Sequence, residues 1–204
     1  MKRRRRSVAS ALLLAVLGIG VFCWGTDGFS AFTAEGARRA DILRSPRVLP
    51  AVVLEDQDGR AFRLQDYRGR LLAVDFIYTR CTTICRSQGM AFKQIRDRVA
   101  QQALGRDFAL LSISIDVERD DATSLKAYGR IYGADSTNWR IARVRSKADL
   151  KPLLAAFGIV VIPDGLGGFE HNAAIHLLDR DGKLARIDDI DQPIAFADRI
   201  SAWL

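Results

Sequence analysis

Two cysteines separated by three residues offer the clearest chemistry in this chain. Cys81 and Cys85 lie in the segment DFIYTRCTTICRSQG. Two thiols at this spacing can form a disulfide, act as a redox couple or bind one metal ion. If a helix begins here, residues i and i+4 share one helix face, with Cβ atoms about 5–6 Å apart. A helix N-terminus also stabilises thiolates through its N–H groups and its dipole. This position therefore favours a reactive or metal-binding pair.

The chain contains two histidines that are candidates to join the cysteines, His171 and His176. His176 lies within AAIHLL, a predicted strand, and His171 precedes that strand, after the glycine-rich loop DGLGGFEH. On a continuous strand, residues five positions apart point to opposite faces, so only one of the two readily faces a common site. We expect this to be His171, at the end of the loop, and we expect His176 to be a half-buried strand residue.

Two thiolates and one imidazole form a soft ligand set of low coordination number. This set suits Cu(I), and with a fourth donor it also suits Cu(II). Zinc normally takes four ligands in a closed site, and no second cysteine or histidine pair is present to complete one. The spacing by itself is equally compatible with a structural disulfide or unrelated buried thiols. A disulfide across so short a loop, however, removes little entropy from the unfolded chain.

The cysteine pair requires positioning elements on both sides, and the sequence predicts them. The apolar segment LLAVDFIY predicts a buried strand that leads directly into Cys81. After Cys85, the four-residue spacing of Ala91, Ile95 and Val99 predicts a helix with one apolar stripe. A cysteine pair between a strand and a helix is placed for chemistry and is poorly placed to connect distant segments.

The segments that follow alternate between strand and helix patterns. DFALLSISID and WRIARV predict strands, and AAIHLLDRDGKLARI predicts a hairpin around an Asp-Gly turn. DDATSLKAYGRIYG, SKADLKPLLAAFG and IAFADRISAWL predict helices, the second with a capping box of Ser146 and Asp149 and a C-cap at Gly158. Trp139, Tyr128 and Tyr132 are expected in the core, and residues 118–121 in a solvated turn that starts a helix.

The order of these elements predicts the fold class. Strands alternating with helices indicate an α/β domain whose connections are long enough for parallel strands. Upstream, LPAVVLEDQDGRAFRLQDYRGR predicts a β-hairpin. A strand that delivers a cysteine pair to a helix, with a later hairpin, predicts a thioredoxin-like fold that carries an N-terminal β-hairpin extension.

The positive charge of the chain is concentrated at its N-terminus. The net charge is +7, and Lys2 with Arg3 to Arg6 supplies five of these charges, which leaves +2 for the rest. No basic stripe with interleaved aromatic residues appears later in the chain. The charge is therefore no evidence for a nucleic-acid partner.

An uncharged apolar run from Val8 to Trp24 follows the basic residues. It is at the short limit for a membrane-spanning helix and slightly long for the core of a cleaved signal peptide. No clean small-x-small cleavage site follows, so we favour an uncleaved signal-anchor over a cleaved signal. We expect an anchor at residues 1–26, a linker at 27–48 and a thioredoxin-like domain at 49–204.

The basic flank of this run also predicts where the domain lies. Positive charges before the span place the N-terminus in the cytoplasm and the remaining chain outside. We therefore expect a single-pass protein of the bacterial inner membrane, with its soluble domain in the periplasm or extracytoplasmic space. A dithiol there tends to become oxidised, so the pair is either a disulfide or is kept reduced by partners.

Three segments, VDFIYTRCTTIC, SISIDVERDDATSLKAYGRIYGA and EHNAAIHLLDRDGKL, are specific in combination. Together with the opening segment LEDQDGRAFRLQDYRGRLL, they resemble the SCO/SenC family of thioredoxin-like, membrane-tethered proteins of copper-site assembly. The resemblance extends from Leu49 to the C-terminus. It implies that Cys81, Cys85 and His171 are copper ligands, the last as the distal histidine. It also implies assembly of the dinuclear copper centre of a respiratory haem-copper oxidase, with Cu(I), Cu(II) or both as the bound ion.

The resemblance implies partners as well as ligands. These are a copper-receiving oxidase subunit, a copper donor protein or thiol reductant, and the membrane through the N-terminal helix. The family usually has proline at two positions where this chain has Arg86 and Val117. These departures leave the ligands in place. A cation beside Cys85 favours its thiolate, and it also changes the surface that a partner meets.

Other functions of the same cysteine pair stay open at this stage. The chain is alternatively a membrane-anchored thiol–disulfide oxidoreductase, in which Cys81 and Cys85 reduce cysteines of a copper-receiving partner. Whether the protein is an enzyme is therefore open. A peroxiredoxin-like enzyme has a related fold, but its usual motif requires proline where Tyr78 stands. A purely structural disulfide is the remaining alternative.

Overall fold

The computed structural model describes residues 2–26, 33–81 and 84–204, without the side chains of residues 2–10, 84 and 85. The chain divides into two compact units, Met1–Ser45 and Pro46–Leu204. The first unit contains helices α1 (Lys2–Gly25) and α2 (Ala34–Arg44). Across the described ranges, no helix combines the length and the hydropathy that a membrane span requires.

Helix α2 lies within residues that were predicted to be a linker. The side chain of Thr33 caps its N-terminus by accepting a hydrogen bond from Gly36 N (3.0 Å). Glu35 in the first turn forms ion pairs with Arg38 and Arg39, at 2.7 and 2.9 Å. Such a helix is stabilised by capping and by i,i+3 and i,i+4 charge pairs. It has no apolar stripe of the kind from which the other helices were predicted.

The second unit is an α/β domain, as predicted. Its described strands are β1 (Val53–Asp56), β2 (Ala61–Arg63), β3 (Leu71–Ile77), β4 (Phe108–Ser114), β5 (Trp139–Val144), β6 (Val161–Pro163), β7 (Phe169–His171), β8 (Ile175–Leu178) and β9 (Leu184–Asp188). Its described helices are α3 (Ile84–Arg98), α4 (Ala122–Tyr132), α5 (Lys147–Phe157) and α6 (Pro193–Ser201), with a short 3-10 helix at Leu64–Tyr67.

Seven of these strands form one sheet in the order β2-β1-β5-β4-β3-β8-β9. Strand β4 is parallel to β3 and to β5, because α3 and α4 provide the crossovers that parallel neighbours require. The outer strands are antiparallel: β1 pairs with β2 and β5, and β8 pairs with β3 and β9. The pairing of β1 with β2 confirms the predicted opening hairpin, and that of β8 with β9 the predicted later hairpin.

The core lies against the two central strands, β3 and β4, in which every residue is buried. The predicted apolar stripe faces inward, with Ala91 and Ile95 of α3, and Val99 directly after this helix, all buried. The core also contains Trp139, Tyr128 and Tyr132, which confirms the expectation for these aromatic residues. The fully buried strand β3 thus delivers the cysteine segment from the centre of the domain.

Two local predictions need adjustment. Ser146 caps α5 by accepting a hydrogen bond from Asp149 N (3.3 Å), which is one of the two hydrogen bonds of the predicted capping box, and Gly158 ends the helix at φ 68°, as predicted. Strand β7, however, lies in a segment that was predicted as loop, and β6 lies in a segment for which no element was predicted. They form a separate two-stranded sheet that pairs Val161 with His171. Three residues per strand are too few to show a period of two, so tertiary contacts define this hairpin.

Candidate metal and thiol centre

The first cysteine of the pair follows the central strand β3 by a tight turn. Cys81 N donates a hydrogen bond to Tyr78 O (3.2 Å), which closes the chain just after the last strand residue, Ile77. The Cys81 residue is 8% exposed, so it lies at the edge of the core. Thr82 and Thr83 lie outside the described residues, and α3 then begins at Ile84. The predicted strand-to-helix junction is therefore present.

A buried carboxylate anchors the segment before Cys81. Asp120 is 1% exposed and accepts hydrogen bonds from Thr79 N (2.9 Å) and Thr79 Oγ1 (2.6 Å). It also accepts a short hydrogen bond from Ser114 Oγ, at the end of β4. Asp120 therefore connects the end of one central strand to the cysteine-bearing turn that follows the other. The expectation of a solvated turn is wrong for Asp120 and right for its neighbour Glu118, whose side chain is 65% exposed.

Tyr78 connects the cysteine segment to the hairpin that carries His171. Its hydroxyl donates to Phe169 O (3.1 Å) and accepts from Phe169 N (3.3 Å). Its ring lies 5.5 Å from the ring of Phe169 and 6.5 Å from that of His171. The two segments are 90 residues apart between Cys81 and His171. The tertiary structure brings them together three residues before the first cysteine.

His171 is held in a form that suits a metal ligand. Its exposed fraction is 9%, and burial lowers the pKa of the ring from the ordinary 6.5, while the hydrogen bond to Asn172 acts in the opposite direction. The ring is therefore neutral at pH 7. Its Nδ1 lies 3.2 Å from Asn172 O, and an Nδ1–H donor to that carbonyl places the lone pair on Nε2. Asn172 itself is fixed by Val160 N (2.8 Å) and Gly158 O (3.1 Å).

Two arginines fasten the tip of the β6–β7 hairpin to the same region. Arg80 Nη2 and Arg119 Nη1 both donate to Gly167 O, at 3.1 and 2.6 Å. Both guanidinium groups also lie near Asp116 Oδ2, at 3.4 and 3.5 Å. Asp116 is 3% exposed and therefore acts as the common counter-charge. The residue before Cys81 thus holds the His171 hairpin in place.

The structure describes the side chains of two of the three predicted metal ligands. His171 and Cys81 lie on segments joined by Tyr78, whereas the side chain of Cys85 lies outside the described residues. Among the side chains that are described, no cluster of three or more His, Cys, Asp or Glu residues has the arrangement of a metal site. The ligand set of Cys81, Cys85 and His171 therefore stays a prediction.

His176 belongs to the core and not to this centre. It is fully buried, which is deeper than the half-buried position expected from the sequence. Its ring lies 5.9 Å from the ring of Phe76 and 5.3 Å from that of Phe157, and its Nδ1 is 3.3 Å from Val74 O.

Sequence reasoning missed three residues of this region: Tyr78, Asp120 and Asp75. Of these three residues, only Asp75 gave a signal in the sequence, as an acidic residue within the apolar segment LLAVDFIY.

Comparison with known proteins identifies the family of this chain. A family model described as SCO1/SenC matches residues 43–204, which is well over half of the sequence. The chain belongs to the SCO1/SenC family. This result confirms the resemblance that the three sequence segments indicated.

Several relatives of this SCO1/SenC protein support the assignment. The SCO1 protein homolog of Bacillus subtilis (strain 168) is 27% identical over 134 residues, 65% of this chain and 68% of the relative. Bradyrhizobium japonicum ScoI, solved with copper bound, matches with a TM-score of 0.66 and 22% identity over 77% of this chain and 99% of its own. A structure of BsSco, described as a member of the Sco family of cytochrome c oxidase assembly proteins with a disulfide switch, matches with a TM-score of 0.63 and 22% identity over 78% and 98%. The domain therefore has the thioredoxin-like fold of Sco proteins.

Proposed function

We propose that this SCO1/SenC protein is a copper-binding metallochaperone that assists assembly of the dinuclear copper centre of a haem-copper oxidase. The observation that carries the proposal is the contact of Tyr78 with the His171 hairpin, three residues before Cys81. In this proposal Cys81, Cys85 and His171 hold the copper ion. Relatives in the same family provide further support, because Bradyrhizobium japonicum ScoI was solved with copper bound.

The chemistry of these residues suits a carrier that must release its cargo. Two thiolates and a neutral imidazole form a soft set that prefers Cu(I), and a fourth donor would accommodate Cu(II). His171 contributes without losing a proton, because burial keeps its ring neutral at pH 7. A site with few ligands leaves room for those of a copper-receiving oxidase subunit to enter before the ion departs. A donor protein would load the site by the reverse exchange.

The N-terminal segment supports a membrane-anchored location for this function. The basic residues and the apolar run after them favour a signal-anchor that leaves the domain on the extracytoplasmic side. Dithiols there tend to become oxidised, so copper loading requires a reductant for Cys81 and Cys85.

Copper titration of the full chain under reducing conditions tests the ligand set. We expect one copper per chain in the wild type and loss of tight binding in Cys81→Ser and Cys85→Ser. Cys23→Ser is the matched control, because this third cysteine lies in α1, and it should bind copper as the wild type does. His171→Ala should bind more weakly. Unchanged stoichiometry and affinity in His171→Ala would exclude the three-ligand site.

A second candidate function is reduction of cysteines in the copper-receiving partner. It is favoured by a cysteine pair at the junction of β3 and α3 and by the disulfide switch described for the relative BsSco. The test is the rate at which the reduced chain converts an oxidised partner dithiol to the thiol form. Normal partner reduction by the Cys81→Ser, Cys85→Ser double variant would rule this function out.

A further inference from the structure

One end of the α/β domain carries basic side chains without carboxylate partners among the residues that the structure describes. Most lysines and arginines of residues 46–204 form ion pairs, as Arg98 does with Asp198. Four that form no ion pair with a described carboxylate meet near the amino-terminal ends of β3 and β4: Arg68, Arg70, Arg180 and Lys183. These four residues, together with Arg106, are called the basic end face below.

Contacts between two loops bring the segments of the basic end face together. Gly69 N donates to Arg180 O (2.8 Å), which joins the segment before β3 to the turn between β8 and β9. In that turn, a Cβ built on Gly182 would lie 3.5 Å from Arg68 Cγ, so the stem of Arg68 packs against the turn. Lys183 follows Gly182 directly. The cations of the two loops therefore lie on one continuous surface.

Carbonyl oxygens hold two of the guanidinium groups in place. Arg70 Nη1 donates to Gly105 O (2.9 Å), directly before Arg106, and Arg180 Nη2 donates to Trp203 O (3.3 Å). A carbonyl oxygen orients a guanidinium group without cancelling its charge, and the remaining N–H donors stay available. Paired N–H donors of this kind match the oxygens of a phosphate group. The basic end face is therefore arranged for phosphate-bearing ligands.

The carboxylates of the same loops leave a positive balance. Residues 63–70, 105–107 and 179–183 contain six cations and four carboxylates, a balance of +2. Asp179 is held within its own turn, where Oδ1 accepts from Asp181 N (3.0 Å) and Lys183 N (2.9 Å). The other carboxylates are Asp66, which accepts from Arg63 N, Asp107, which forms an ion pair with Arg106, and the exposed Asp181. An anionic surface is therefore attracted to this end of the domain.

Exposed apolar side chains and the entry of the chain lie beside the basic end face. Trp203 and Leu204 follow α6 and are 46% and 42% exposed. Tryptophan beside basic residues is typical of surfaces that contact the headgroup region of a bilayer. Arg47 and Leu184 exchange two backbone hydrogen bonds of 2.9 Å, and Leu184 follows Lys183. The segment that leads back to the N-terminal apolar run therefore leaves the domain at this end.

The candidate centre lies at the opposite end of the same sheet. Cys81 follows the carboxyl end of β3, whereas Arg70 precedes its amino end. The strand has seven residues. At about 3.3 Å per residue, it separates the two ends by roughly 23 Å. A surface bound to the basic end face would therefore leave Cys81 and the His171 hairpin accessible to a protein partner.

We propose that the basic end face binds the anionic headgroups of a phospholipid bilayer and so directs the cysteine end of the domain away from the membrane. This inference rests on the membrane-anchored location proposed above and is independent of the copper ligands. Each basic residue near an anionic bilayer strengthens binding by about fivefold. An anchor that confines the chain to the bilayer raises the effective concentration of headgroups, so a few cations suffice for docking.

Quenching of Trp203 fluorescence by spin-labelled lipid headgroups tests the proposal in the full chain. The chain carries Trp24→Phe and is placed in nanodiscs of phosphatidylcholine alone or of an equal mixture with phosphatidylglycerol. Trp139 is fully buried, so differences in quenching report on Trp203. We expect strong quenching only with phosphatidylglycerol, and its loss at about 1 M NaCl, where the Debye length is about 3 Å. Quenching that is absent, or equal in the two lipids, would overturn the proposal.

A double variant, Arg68→Gln with Lys183→Gln, tests the side chains themselves. It should lower the ratio of docked to free domain by about 25-fold, because two cations are removed. Arg86→Gln with Lys151→Gln is the matched control, since it also removes two cations without an ion pair to a described carboxylate, but from α3 and α5. The control should be quenched as the parent chain is. Equal quenching of the two double variants would refute a specific role for the basic end face.

Two further outcomes test the orientation and separate the proposal from the anchor. Leu166→Trp, at a hairpin position that is 93% exposed, should stay unquenched when combined with Trp203→Phe. Strong quenching there would contradict the orientation. A chain that washes out of phosphatidylcholine nanodiscs would contradict the anchor. Flotation of that chain with phosphatidylglycerol vesicles would then decide on the basic end face alone, since the face should still bind them.

Discussion

Two buried carboxyl groups near the cysteine segment, Asp120 and Asp75, lie in different surroundings. Asp120 accepts hydrogen bonds from Thr79 and Ser114, and these hold the turn before Cys81. Asp75 is equally buried, and no described group satisfies its oxygens at full hydrogen-bond geometry, although the Ser112 hydroxyl lowers its pKa against the effect of burial. The two carboxyl groups therefore differ in their hydrogen-bond donors and not in their burial.

At the scale of this residue, Asp75→Asn should increase the free energy of unfolding at pH 8. The folded pKa of about 7 exceeds the ordinary value of 3.8, so the folded state binds the proton more tightly than the unfolded state. Stability should therefore fall as pH rises from about 4 to about 7, by roughly 4 kcal/mol. Asp75→Asn has no carboxyl group at this position, so its stability should not fall in this way over the same pH range. Urea unfolding of both proteins between pH 4 and 8 measures it, and parallel pH dependence would contradict the prediction.

Elements far apart in the chain meet at the carboxyl ends of β3 and β4. The loop after β4 supplies Asp116 and Asp120, and the β6–β7 hairpin supplies His171. Between β3 and Cys81, Arg80 contacts both of these elements and Tyr78 contacts the hairpin. The position of the candidate ligands therefore depends on the loop and the hairpin together.

Asp120→Asn should weaken copper binding without unfolding the domain. The variant places an amide opposite Thr79 N–H, so the turn before Cys81 loses a charge-assisted hydrogen bond. Residues that orient metal ligands typically change affinity by about 10–100-fold, and we expect a decrease near the lower end. Copper competition titration measures the change. Glu118→Gln, in the same loop but exposed, is the control, and equal affinity of the two variants would disprove this role for Asp120.

A methyl group added at Gly89 should destabilise the packing of α3 against α4. A Cβ at this position would lie 2.5 Å from the ring of Tyr132, which is itself buried. Gly89→Ala should therefore lower the free energy of unfolding by about 1–3 kcal/mol. Ser87→Ala, at an exposed position of the same helix, should leave it nearly unchanged. Denaturant unfolding compares the two, and a stable Gly89→Ala variant would show that the helices separate easily.

At the scale of the whole molecule, the candidate centre lies within one of the two compact units. Cys81 contacts Tyr78, and His171 contacts Tyr78 and Asn172, all of them residues of the unit Pro46–Leu204. The other unit contains the basic and apolar N-terminal segment that supports anchoring. Chemistry and localisation are therefore assigned to different parts of the chain.

A fragment of residues 46–204 should fold cooperatively and bind copper with the stoichiometry of the full chain. The reason is that its sheet and its candidate site are internal to this unit. Thermal unfolding and copper titration of the fragment, with the full chain in detergent as the reference, measure both properties. A fragment that folds but binds no copper would show that residues 1–45 contribute to the site.

Local sequence patterns determined most of the fold. Apolar runs such as LLAVDFIY and the four-residue spacing in α3 predicted the central strands and helices, because burial of one face imposes those periods. The same reasoning missed α2, which depends on capping and charge pairs, and the β6–β7 hairpin, whose strands are too short to show a period. Both are stabilised by specific contacts that leave no periodic signal.

The sequence by itself determined the cysteine pair, the preference for His171 over His176 and the family. The tertiary structure decided how these residues are held. Tyr78 connects the segment before Cys81 to the His171 hairpin, and Asp120 anchors the turn before Cys81. It also decided that Asp75 is enclosed without partners among the described residues. Residue type and spacing reveal which atoms can bind or react. Burial and hydrogen bonding, which set their protonation and orientation, arise only when distant segments pack together.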